Sequence, residues 1–238
     1  MQGDGTTYTV IGRCQRSGRL GIGIATFSLA VGSYCPFVQP GQAAISTQAY
    51  VNQHLGVKAM HLLKQGCSPK QAVKEISGED NYIDYRQVGI VDGKGDTAVF
   101  SGSHIRDWSG DISRQNLVAM GNALCGSEVV EAMADAFDSQ PAHDLDERLL
   151  SSLEAGRDAG GQVGTNGHLA ERSAVVCVYN QEIFPELDLR VDFHEQAVDE
   201  LRRLHAIYKP YLSYHELRRL SPQQSPPREA WMRDNLDD

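Results

Sequence analysis

The chain has 238 residues, enough for one large domain or two small ones with a substantial core, so no disulfide or metal framework is needed to hold it together. Asp plus Glu number 31 against 22 Lys plus Arg, a formal charge of -9, and a surface of that sign repels nucleic-acid phosphates. Five scattered cysteines without CxxC pairs suit reduced thiols and a cytoplasmic protein, and no segment approaches the roughly 20 apolar residues of a membrane span.

The opening MQGDGTTYTV lacks the basic region and long apolar run of an export signal. TYTVIGRC reads as a strand, and Leu20, Ile22 and Ile24 alternating with Gly21, Gly23 and Ala25 as its partner, joined through Gln15-Arg16-Ser17-Gly18. A loop from Gly32 to Gly41 leads to a third strand, Ala43 to Gln48. Leu55, Ala59, Leu62 and Leu63 recur at helical spacing with Gly66 at the C-terminal cap, and Ser68-Pro69-Lys70-Gln71 starts a second helix with a capping box. Gln87 to Val91 and Thr97 to Ser101 flank Asp92-Gly93-Lys94-Gly95 as a hairpin. A second loop, Gly102 to Gly121, precedes helices around Glu128 to Phe137 and Leu145 to Leu153. Strands at Ser173 to Tyr179 and Leu187 to Asp192 follow, and then a helix carrying Val198, Leu201, Leu204 and Tyr208. Blocks of strands separated by helix pairs argue for antiparallel sheets with helices layered outside. From Lys209 the composition turns to Ser, Pro and charge, an arm too polar to build a core of its own.

Motifs that are missing narrow the chemistry. There is no GxxxxGK[ST] loop, and Gly21-Ile22-Gly23 lacks the third glycine of a dinucleotide fingerprint. His194-Glu195 and His215-Glu216 are followed by Val198 and Arg219 where HExxH needs its second histidine. The expectation is a protein without metal or nucleotide cofactor.

The stretches LGIGIATFSLAVGSYCPFVQPGQAAISTQAYVNQHLG, DYRQVGIVDGKGDTAVFSG, MGNALCG, DERLLSSLEAGRDAGG, RSAVV and LDLRVDFH resemble the successive blocks of the domain of unknown function 1028 family, assigned to the N-terminal-nucleophile (Ntn) hydrolase superfamily. The resemblance runs from Thr6 to Tyr208. It implies an α+β fold, the four-layer αββα sandwich of Ntn hydrolases, over residues 1–208, with 209–238 a C-terminal arm. It also implies that the nucleophile is the first residue of the mature chain, whose free amine, with a pKa of about 8, activates its own hydroxyl. Relatives begin this strand with Thr-aromatic-Ser, and Thr7-Tyr8-Thr9 occupies that place here, making Thr7 the expected nucleophile. Met1 to Thr6 precede it, so Thr7 gains a free amine only if the chain is cut. Cleavage at Gly5-Thr6 would expose Thr6 instead, and the plain alternative is that both threonines are ordinary strand residues.

Polar residues set in apolar or glycine-rich blocks complete the expected site. Thr47 and Gln48, which match the family's TQ block, and Asn52 are placed to orient a substrate. Arg86 and Gln87 open the central hairpin, where Arg86 has two options: clamping a substrate carboxylate or pairing with Asp84. Asn122 is either an oxyanion donor or a chain-turning residue before its helix. Two blocks depart from the family, with Gly160-Gly161-Gln162 for AGGD and Arg172-Ser173-Ala174 for QSA. If the replaced residues bind substrate in relatives, the substrate here differs or the activity is lost. Asp188, Arg190, Asp192 and His194 alternate as a solvated ladder. The expected function is hydrolysis of a C–N bond in a small amide, and the alternative is a non-catalytic binding or scaffolding protein. Tyr211, Leu212, Tyr214 and Trp231 on the polar arm point to packing on a partner subunit in a homo-oligomer, the alternative being that they fold back onto their own domain or stay disordered.

Overall fold

The computed structural model describes residues 5–236, and the chain divides into two compact units, Met1–Leu201 and Arg202–Asp238. The first unit opens with β1 (Thr7–Arg13) and β2 (Leu20–Thr26), paired antiparallel across a turn in which Gly18 takes the left-handed φ of +73°. β3 (Pro36–Gln39) and β4 (Ala43–Ala49) follow, and then α1 (Gln53–Lys64) and α2 (Pro69–Glu79). The capping box at Ser68 is fully formed, with Gln71 returning a bond to the Ser68 amide. Next come β5 (Arg86–Asp92), β6 (Thr97–Ser101), β7 (Gly110–Arg114), β8 (Leu117–Asn122), α3 (Ser127–Ser139) and α4 (Leu145–Asp158). A small hairpin of β9 (Gln162–Gly164) and β10 (Gly167–Leu169), then β11 (Ser173–Tyr179) and β12 (Leu187–Val191), lead into α5 (Ala197–Tyr208).

Two sheets carry the site, a six-stranded one ordered β12-β11-β2-β1-β8-β7 and a four-stranded one ordered β3-β4-β5-β6, antiparallel throughout. The period-2 pattern decides which way each residue faces. Ile11, Ile22, Ile24, Val118, Met120 and Val175 of the larger sheet pack with Ala44 and Val91 of the smaller one. On the smaller sheet's other face Ile45, Val88 and Ile90 bury against Leu55, Ala59, Leu63, Val73 and Ile76 of α1 and α2. On the larger sheet's other face glycines let helices close in, since a Cβ on Gly12 would lie 2.6 Å from the Phe137 ring and one on Gly23 3.2 Å from Leu153. Each fully buried Leu, Ile or Phe of these layers contributes about 1.5–3 kcal/mol.

The two stretches expected as loops contain strands, β3 in the first and β7 and β8 in the second. β3 opens on Pro36 at the edge of its sheet, where a missing N–H costs no ladder bond. β8 sits centrally beside β1 and is buried on both faces, so Leu117-Val118-Ala119-Met120 shows no alternation, and Asn116, at φ 68°, makes the tight turn from β7.

The second unit also differs from the expected coreless arm. It forms α6 (Tyr211–Leu220) and α7 (Arg228–Asn235), and within it Tyr214 stacks on Trp231 with centroids 4.7 Å apart while Tyr211 lies 5.1 Å from Trp231. Tyr211, Tyr214 and His215 share one helical face, so the aromatics find one another inside the unit.

Candidate active site

Thr7 is the first residue of β1, and the register places Thr26 of β2 on one side of it and Asn122 of β8 on the other. Thr7, Thr9 and Ile11 share the face toward the second sheet. The Thr7 hydroxyl donates to Thr26 Oγ1 at 3.2 Å, and Thr26 Oγ1 in turn donates a short bond to the carbonyl oxygen of Thr6. The Ser28 amide donates to the same Thr26 oxygen at 3.2 Å, so this hydroxyl makes one donated and two accepted bonds, its full capacity. The hydroxyl of Thr7 is therefore linked, through one intermediary, to the carbonyl of the peptide bond that precedes it.

Gly5 and Thr6 are held just as firmly. Asn122 Nδ2 donates to the Gly5 carbonyl, while Asn122 Oδ1 and Thr6 Oγ1 are buried among the described residues without hydrogen-bond partners. Gly5 runs so close to β4 that an added Cβ would lie 3.0 Å from the Ala49 carbonyl oxygen. Ala49 and Ala123, which flank this point, both adopt left-handed backbone, at φ 66° and 52°. That conformation costs a non-glycine residue of the order of 1 kcal/mol and is retained where surroundings impose it.

Below Thr7 a chain of amides joins the sheets. Thr9 Oγ1 donates to Gln48 Oε1 at 2.5 Å, Gln48 Nε2 donates to Gln87 Oε1 at 2.8 Å, and Gln87 Nε2 donates to Ser101 Oγ and to the Gly121 carbonyl, each at 3.0 Å. All of these side chains except Ser101 are buried, so every missing partner would leave a desolvated polar group at about 1–3 kcal/mol.

The structure therefore brings together Thr6, Thr7, Gln48, Gln87 and Asn122. It separates the other expected residues from them. Thr47 points to the opposite face of β4 and donates to the Asn52 carbonyl at 3.3 Å. Asn52 caps α1 and reaches Asp80 at 3.2 Å. Arg86 pairs with Asp80 at 3.1 Å, not with Asp84, and donates to the Tyr50 carbonyl. Burial raises the Asp80 carboxyl, but bonds from the Tyr82 amide, Asn52 and Arg86 outweigh it and hold the group below the usual carboxylate range. Asn122 ends a strand instead of turning the chain.

Residues outside the expected catalytic and binding set also frame the site. Thr26 is the foremost, and counting the β1-β2 register from its turn would have found it opposite Thr7. Gln162 accepts from the Phe27 amide at 3.0 Å and donates to Glu171 at 3.3 Å, fixing the corner that follows Thr26. Behind β1, burial and then the Glu171 charge push the Tyr8 phenol well above its ordinary value. Asp188 pairs bidentately with Arg190, as a strand-face ladder would. Among the described residues no cluster of three or more His, Cys, Asp or Glu side chains could hold a metal ion, and no helix is long and apolar enough to cross a membrane.

Fold and site together define a mixed α/β protein of antiparallel sheets whose central strand is headed by a hydrogen-bonded threonine. The chain belongs to the family of unknown function DUF1028, whose model matches residues 7–201. A DUF1028 protein from Silicibacter pomeroyi is similar in structure, with a TM-score of 0.78 and 26% identity over 86% of this chain and 89% of that one. Anbu (ancestral beta-subunit) from Yersinia bercovieri gives a TM-score of 0.40 at 14% identity over 92% of this chain and 98% of that one. The Anbu Gly-1 mutant from Hyphomicrobium sp. strain MC1 gives 0.43 at 14% over 87% and 95%. No curated protein matches the chain.

Proposed function

We propose that this protein is an Ntn-type amidohydrolase on a four-layer αββα sandwich, which cuts its own chain before Thr7 and then hydrolyses the C–N bond of a small amide with the exposed threonine. The layering is supported by the facing sheets with α1 and α2 outside one and α3 and α4 outside the other. The observation that carries the chemistry is the hydrogen-bonded chain from Thr7 Oγ1 through Thr26 Oγ1 to the Thr6 carbonyl oxygen. Attack by Thr7 Oγ1 on the Thr6 carbonyl carbon needs the hydroxyl to lose a proton and the carbonyl oxygen to have its developing charge stabilised. The Thr26 hydroxyl is bonded to both partners. The Oγ1–C bond forms, the C–N bond to Thr7 breaks, and the proton passes to the leaving nitrogen. Water then hydrolyses the ester, leaving a Thr6 carboxylate and a free Thr7 amine. A substrate carbonyl later occupies the place vacated by that of Thr6, where Thr26 is its donor and the α-amine is the base, and departure of the Gly5 carbonyl frees Asn122 Nδ2 for the substrate.

A second reading, a non-catalytic binding protein on the same fold, is favoured by the 5% exposure of Thr7, which leaves a substrate no path while residues 5 and 6 are in place. Mass spectrometry of the purified protein after incubation separates the two. The enzyme reading expects loss of residues 1–6 from the wild type, full retention in Thr7→Ala, and an acyl adduct on Thr7 with reactive amide or ester probes. Loss of residues 1–5 would assign the nucleophile to Thr6, whose Oγ1 is buried without a hydrogen-bond partner and which follows the Asn122-held Gly5 carbonyl in the chain. An intact wild-type chain sinks the mechanism.

A further inference from the structure

Arg172 immediately precedes β11, and its backbone is pinned from both sides: its amide donates to the Thr26 carbonyl at 2.8 Å, and its carbonyl accepts from the His194 amide at 2.9 Å. Its guanidinium carbon lies 4.8 Å from the centroid of the Phe27 ring and 5.3 Å from that of Phe193. Two aromatic faces thus hold the flat cation, and stacking leaves the N–H edge of the fork for an in-plane acceptor. Among the described residues no carboxylate pairs with Arg172, whereas Arg19, Arg86, Arg114, Arg157, Arg190 and Arg219 each have at least one. An oriented, half-buried guanidinium without an acidic partner is an anion receptor whose ordering cost is already met by the fold.

Its position relates it to the site. Ser173, Thr26 and Thr7 lie in one row across β11, β2 and β1, so Arg172 is one residue beyond that row and two strand spacings, about 10 Å, to the side of Thr7. Beside it opens a cleft of about 580 Å³ lined by Phe193, His194, Glu195 and Gln196, and Phe193 is 60% exposed. Glu195 supplies the one carboxylate of that lining.

We propose that Arg172, clamped between Phe27 and Phe193, binds a carboxylate of the substrate, so that the protein acts on amides carrying a carboxylate several bonds from the C–N bond. This inference rests on the Thr7 reading for the reaction but not for the binding. Glutaric acid monoanilide and its methyl ester serve as probes, with binding followed by calorimetry and cleavage by release of aniline. The acid is expected to bind the wild type about tenfold or more tightly than the ester, as a charge-assisted bond requires. Arg172→Gln is expected to reduce that preference below about threefold. Arg172→Lys, which retains the charge but loses the fork, tests the same contact if the glutamine variant does not fold, and its preference is expected to fall at least threefold. Equal binding of acid and ester, no binding of the acid, or a preference unchanged by either Arg172 variant overturns the proposal. A preference that follows Arg172 without any aniline release leaves the carboxylate site standing and counts only against the hydrolytic reading.

Discussion

At the residue scale, the proposed self-cleavage turns on Thr26, because a single hydroxyl accepts from Thr7 Oγ1 and donates to the Thr6 carbonyl. Thr26→Val keeps the shape and β-propensity but removes both of these bonds and the one from the Ser28 amide. Loss of one oxyanion donor slows acyl transfer by about 10²–10³-fold, and Thr26→Ser, which restores the hydroxyl, is expected to process within about tenfold of the wild type. Time courses of intact mass read both rates, and equal processing of the valine variant would remove Thr26 from the mechanism. Thr26 was within reach of the sequence, since the β1-β2 hairpin and its turn were legible and strand pairing is then arithmetic. The fate of Arg86 was not, because Asp80 reaches it across a loop whose course no periodicity reports. Nor was the division of Thr47 from Gln48: alternation assigns them opposite faces, but which face meets β1 depends on how the sheets stack.

At the level of elements, legibility followed the strength of local patterns. The capping box of α2 and the small-face alternation of β2 were read directly, because each is a short-range rule that tertiary packing did not override. β3, β7 and β8 were not, the first two being short edge strands and the third a central strand whose apolar run has no period. The same glycines that made β2 legible set the distance of its helices. A Cβ on Gly21 would lie 2.8 Å from both the Cys177 carbonyl oxygen and Leu149 Cδ1, and a backbone carbonyl in a ladder cannot move aside. Gly21→Ala is expected to cost about 1–3 kcal/mol, seen as a lower urea midpoint at unchanged slope. Gly78, exposed in α2 with open space around its Cβ, is the contrast: Gly78→Ala is expected to stabilise by about 0.5–1 kcal/mol. If both substitutions shift the midpoint alike, close packing is not what the β2 glycines provide.

For the molecule as a whole, the two units differ in how they are held. The first contains two extended apolar cores and a hydrogen-bonded polar network between its sheets, so many contacts must fail together before it opens. The second is built around Tyr211, Tyr214 and Trp231, and a unit below about 40 residues seldom gains enough from such a cluster to hold its fold firmly. Their opening free energies should therefore separate. The two tryptophans allow a direct reading, because Trp231 lies in the second unit and Trp108 in the first. In Trp108→Phe the remaining fluorescence reports the α6-α7 cluster, while far-ultraviolet circular dichroism is dominated by the first unit. On titration with urea the fluorescence transition is expected first and with a shallower slope, since less surface is exposed, and the circular dichroism transition later and steeper. Coincident transitions with one slope would mean that the 238 residues unfold as a single cooperative body, and the second unit would then derive its stability from more than its own aromatic cluster.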